Sequence, residues 1–123
     1  MLGLFGMIGR SKELQLLDQA LRGVNLHPRF VPEAIKLTTM KLLKEADVEP
    51  RPYDATAEIL SYCIMGVDGF TESNDPELTE AVEARLLAAL EDGDSLDATI
   101  VLLTLHAGVI QSSVVERFGL EVD

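Results

Sequence analysis

The chain has 123 residues, 47% hydrophobic and 25% charged, with one cysteine, no tryptophan and a formal net charge of −11. That length suits one domain with a core of its own, and the apolar content excludes global disorder. The lone Cys63 excludes a disulfide scaffold, no apolar run is long enough to span a bilayer, and the acidic balance argues against duplex nucleic acid, whose affinity rests on cationic contacts to phosphate.

Residues 1–10 form an apolar, Gly-rich segment ahead of a helical domain over 11–123. Its charges, Arg10 and Lys12, follow the apolar stretch, the reverse of a secretory signal, and Leu2 stands where N-myristoylation needs glycine. Together with a single free thiol, this points to a cytoplasmic protein. Leu2, Leu4, Phe5 and Ile8 are expected to pack on the domain or on a partner. The alternative is a helix lying on a membrane surface, for which three glycines in nine residues are poor material.

The first helix is expected between an N-cap at Ser11 and a C-terminal stop at Gly23, with Leu14, Leu17, Leu21 and Val24 as its buried stripe. Pro28 and Pro32 mark the next connection, with His27 as a turn residue. A second helix runs from Pro32 to about Ala46, with Ile35, Leu37, Met40, Leu42 and Leu43 inward and Lys36, Lys41 and Lys44 toward solvent. Pro50 and Pro52 end that region. A third helix, capped by Asp54, carries Ile59 to Val67 and is closed by Gly66 and Gly69, which leaves 68–75 as a polar loop.

Asp75-Pro76-Glu77 is a strong start for a fourth helix: cap, first-turn proline, then an acid at the positive end of the dipole. That helix buries Leu78, Val82, Leu86, Ala89 and Leu90 and stops at Gly93. The fifth opens at Asp94 or Ser95 and is apolar on nearly every side through Ile110, the pattern of a helix buried all round. β-Branched residues also suit a strand over 100–110, but the 4-3-4-3 stepping of Leu96, Ile100, Leu103, Ala107 and Ile110 favours helix. Ser113-Val-Val-Glu116 has capping-box spacing and predicts a short last helical turn. The expected architecture is an all-α, single-domain bundle of about five helices, with the fifth at the centre.

Charge is unevenly spread. Residues 1–51 carry eight Lys/Arg against six Asp/Glu, and residues 52–123 carry two against fifteen, which gives +2 and −13. Such asymmetry either marks a partner-binding face or lets the two halves attract each other inside one fold.

Catalytic chemistry is sparse. Cys63 sits among Tyr62, Ile64 and Met65 with no local cation or base, as expected of a small buried hydrophobe. His106 shares a heptad-spaced stripe with Thr99 and Ser113; it either faces water and internal hydrogen bonds or projects into a pocket as ligand or base. The Gly3, Gly6 and Gly9 spacing matches neither phosphate-binding fingerprint, and no Gly-x-Ser-x-Gly elbow is present.

Acids are the one enriched group. Asp68, Glu72, Asp75 and Glu77 surround one connection, and Asp92, Asp94 and Asp97 the next, which makes a divalent cation the candidate cofactor. The EF-hand register fails, with Thr79 or Leu103 at its twelfth position. The helix, Asp68-Gly69, loop, acid, helix layout over about 60–90 resembles the tellurite-resistance TerB-like domains, and that resemblance implies a helical module with an acidic metal site.

Two functional expectations stand. One is a non-enzymatic interaction module, a homo-oligomer or an adaptor for another protein, because so apolar a fifth helix is hard for a small bundle to cover. The alternative is an acidic domain holding a divalent metal through Asp68, Glu72, Asp75 and Glu77.

Overall fold

The computed structural model describes residues 12–120, which form a bundle of six α-helices and no strand. These are α1 (Lys12–Gly23), α2 (Glu33–Ala46), α3 (Tyr53–Ser73), α4 (Pro76–Asp92), α5 (Leu96–His106) and α6 (Ser112–Phe118), with a 3-10 turn at Pro28–Phe30 between the first two. The all-α class expected from the sequence is the class observed. Leu2, Leu4, Phe5, Ile8 and the cap at Ser11 lie outside the described residues. No helix among the described residues is long and apolar enough to cross a membrane.

The element with the most neighbours is α3, which packs on α1, α4, α5 and α6, while α5 meets α2, α3 and α4. Leu17, Leu21, Leu43, Ile59, Leu60, Tyr62, Phe70 and Ile100 are all fully buried, each contributing about 1.5–3 kcal/mol of burial. Cys63 is buried among them, as its apolar sequence context predicts.

The largest departure from the sequence expectation lies in α3. The predicted loop at 68–75 is mostly helix: α3 continues to Ser73 across a break at Gly66, whose φ of 87° and ψ of 169° belong to glycine. Phe70 explains why the second arm forms, since its ring is fully buried and packs edge-on against Tyr62 at 5.5 Å. A loop would have to give up that burial. The start also differs, because the helix begins at Tyr53 behind Pro52 and Asp54 falls inside its first turn.

The break is filled by the chain leading into α6. Gln111 N–H donates to the Cys63 carbonyl at 2.9 Å, and Val67 N–H donates to Ser113 Oγ at 3.2 Å. In an unbroken helix Val67 N–H and Cys63 C=O would bond each other. Ser113 is therefore not the N-cap of the last helix. Gln111 occupies that position, and the Ser113 hydroxyl serves α3 instead.

Two other helix ends close differently from the expectation. α1 ends at Gly23, as expected, but the left-handed closing position falls to Asn25, at φ 66°, with Leu26 N–H and Asn25 N–H closing on Leu21 and Arg22 carbonyls. The Asn25 amide then donates to the Ser73 carbonyl at 2.7 Å, which ties the ends of α1 and α3. At its far end α5 stops at His106, not Ile110, through the same type of closure around Gly108 at φ 73°.

In α2 the buried row is Ile35, Lys36, Thr39 and Leu43, whereas Leu37 is exposed. Positions two apart do not share a helix face, so Ile35 and Leu37 cannot both point inward. Lys36, expected in solvent, is only 4% exposed and is neutralised by Asp18 at 3.3 Å and Glu33 at 3.4 Å.

Candidate functional site

The α4–α5 hairpin is built by local signals. Gly93 closes α4 in the left-handed conformation, and Ser95 caps α5 by accepting from Ala98 N–H at 3.1 Å. One side of the hairpin is locked by Arg85. Its Nε and Nη2 reach the two Asp97 oxygens at 3.2 and 3.0 Å, Nη1 reaches Glu58 at 2.9 Å, and Nη2 also donates to the Ala55 carbonyl at 2.9 Å. Three helices thus meet on one guanidinium, whose planar fork suits such bidentate pairing.

Elsewhere the hairpin leaves apolar surface open. A groove of about 210 Å³ is lined by Ala89, Leu90 and Gly93 from the end of α4, Ala98, Val101 and Leu102 from α5, and Leu120. Leu90 is 43% and Leu102 46% exposed, and Leu87, one turn before Leu90, is 56% exposed. A side chain placed on Gly93 would meet nothing within 4 Å, so the groove is open at that corner. The sequence reading places Leu90 and Leu102 inside. The correction follows from Leu86 to Leu90, an unbroken apolar run that covers every side of α4, so that part of it must face outward.

A second cleft, of about 330 Å³, lies between α1 and the start of α3, lined by Leu16, Gln19, Ala20, Gly23, Arg51, Tyr53 and Asp54. Its lining is mixed, and Arg51 is held by Glu13 at 3.5 Å. It has neither the continuous apolar surface of the α4–α5 groove nor a cluster of reactive groups.

The predicted metal residues do not form a ligand set. Asp68 and Glu72 lie on exposed turns of the second arm of α3, Asp75 is the residue before α4, and Glu77 is in its first turn. Among the described residues no group of three or more His, Cys, Asp or Glu is arranged to hold a metal ion. Helix replaces the loop that was expected to gather them.

His106 is the exposed last residue of α5. The stripe it was expected to share dissolves, because Ser113 belongs to α6 and the Thr99 hydroxyl bonds its own turn at the Ser95 carbonyl, 3.1 Å away. His27 is the turn residue expected, its Nδ1 accepting from Arg29 N–H at 3.1 Å.

Two buried groups have strongly moved acidities. Burial pushes the Cys63 thiol up to about 12, against a smaller opposing effect of a hydrogen bond with Thr104. Burial raises the Tyr62 phenol as well, and its 2.5 Å hydrogen bond to Glu83 adds to that. Glu83 is held in turn by Arg117 Nε at 2.8 Å, so this network fastens α6 to α3 and α4. At neutral pH the thiol is protonated and sealed, the opposite of a nucleophilic cysteine.

The ion pairs of Lys36 and Arg51 stay within the first half of the chain, and those of Arg85 and Arg117 within the second. These pairs do not join the +2 half to the −13 half. Both cations of the second half are engaged with its own carboxylates. Comparison with protein-family models, curated proteins and solved structures finds no match to this chain.

Proposed function

We propose that this chain is a non-enzymatic protein-interaction module whose binding face is the apolar groove of the α4–α5 hairpin. The observation that carries this reading is the row of Leu87, Leu90 and Leu102, large side chains left in water beside a groove lined almost wholly by carbon. Covering such a surface is favourable by about 25 cal/mol for each Å² removed from water, and a contiguous apolar patch on a small domain marks an interface. The occupant is either a second copy of the chain or another protein. The sealed, unpaired Cys63 suits a cytoplasmic setting.

The test compares Leu90→Ser and Leu102→Ser with the core variant Leu43→Ala. Core truncation costs about 2–5 kcal/mol and lowers the melting midpoint by many degrees. The two groove variants should melt close to the wild type and lose association, read by sedimentation of the chain alone and with added peptides. If they melt as low as Leu43→Ala, these leucines belong to the core and the reading fails.

A further inference from the structure

The groove's surroundings say more about its occupant. Glu91 and Asp92 lie between the lining residues Leu90 and Gly93, Asp94 follows directly, and all three are exposed. Residues 86–116 contain no Lys or Arg at all. The nearest cations in the chain, Arg85 and Arg117, are bound to Glu58, Asp97 and Glu83. An apolar floor is thus flanked by carboxylates with no basic residue from its own stretch of chain to balance them.

A second copy docking through the same face would bring the same carboxylates against these, and like charges across an interface oppose association. An anionic membrane surface meets the same repulsion. The bundle offers no strand edge among the described residues, so an extended peptide has no ladder to join. A groove between two packed helices accepts the ridge of a third helix.

We infer that the α4–α5 groove receives a cationic amphipathic helix of another protein. Its apolar row sits on Leu90 and Leu102, and its Lys/Arg flanks face Glu91, Asp92 and Asp94. This inference rests on the interaction-module reading and names the partner chemistry for the same face. The apolar row supplies the affinity, and the charges set orientation and speed of encounter.

The experiment titrates the full chain with three synthetic peptides: an amphipathic Leu/Lys helix, the same composition scrambled to remove the apolar face, and a Leu/Glu counterpart. Calorimetry at low and at elevated salt reads the affinity. The amphipathic Leu/Lys peptide should bind roughly tenfold or more tighter than either other peptide and weaken with salt. Leu90→Ser and Leu102→Ser should each weaken it, whereas Leu37→Ser, an exposed apolar change on α2, should not. Equal binding of the scrambled peptide, or unchanged binding by the groove variants, overturns the inference. Self-association of the chain that Leu102→Ser abolishes would make a second copy the occupant, overturning the cationic partner while leaving the interaction module standing. If neither peptide binding nor self-association depends on Leu90 and Leu102, both readings fall.

Discussion

Ser113 occupies the space that a side chain at Gly66 would need. A Cβ at Gly66 would stand 3.0 Å from Ser113 Oγ and 3.2 Å from Gln111 Cβ, while the Ser113 hydroxyl accepts the Val67 N–H released by the break. The missing side chain of one residue and the hydroxyl of the other form one joint, which docks α6 onto α3.

Gly66→Ala should therefore cost about 2–3 kcal/mol, from a backbone conformation closed to L-residues and from the crowding against Ser113 and Gln111. Ser113→Ala should cost about 1 kcal/mol for the lost hydrogen bond. In the double variant the cost of Gly66→Ala should shrink without vanishing, since the crowding eases and the backbone conformation remains. Urea unfolding midpoints measure all three. A Gly66→Ala variant as stable as the wild type would show that α3 needs no break.

Ser61 offers a change in the other direction. Its hydroxyl is fully buried in α3 and has no hydrogen-bond partner among the described residues. An unsatisfied buried hydroxyl carries its desolvation cost with no return, so Ser61→Ala should be neutral or stabilising by about 1 kcal/mol. A clear loss of stability in the same urea assay would mean that the hydroxyl has a partner in solution.

Alkaline stability follows from Cys63 and Tyr62. Both acidities are raised in the folded state, so the native protein holds these protons more tightly than the unfolded chain does. That contribution is complete below the ordinary thiol value of 9.0 and is lost as pH rises from there through about 12. Between pH 8 and pH 10 the thiol alone should remove about 1 kcal/mol of stability. Cys63→Ala should flatten this decline, and Tyr62→Phe should flatten the part above pH 10. In the native state the thiol should react with an aromatic disulfide reagent only at the rate of unfolding. Rapid labelling of the folded protein would contradict its burial.

Divalent cations provide a direct check on the acidic residues. A native-state site filled at about 100 times its dissociation constant would add about 2.7 kcal/mol and raise the melting midpoint by several degrees. With Asp68 and Glu72 on one helix arm and Asp75 and Glu77 at the start of the next helix, millimolar calcium or magnesium should leave the midpoint where a chelator leaves it. A saturable rise that Asp68→Ala with Asp75→Ala removes would restore the metal site.

How much of this was legible in the sequence depends on the range of the forces involved. Gly93 as a stop, Asp94 or Ser95 as a cap and Asp75-Pro76-Glu77 as a start were all readable, because each is decided by residues within a turn or two. Gly66 was readable as an interruption, but not as a break within one helix, because what continues α3 is Phe70 packing against Tyr62. Ser113 had the spacing of a cap, yet its hydroxyl is claimed by Val67, 46 residues away in the chain.

The amino-acid sequence by itself determined the all-α class, the approximate number of helices and the separation of charge, since periodicity, capping and composition act locally. Only the tertiary structure decided which face of each helix is covered. Lys36 goes inside because Asp18 of α1 is there to meet it, and Leu90 and Leu102 stay outside because no element among the described residues covers them. Hydrophobicity specifies that a side chain gains by burial, but the neighbour that buries it comes from a distant part of the chain, or from another molecule.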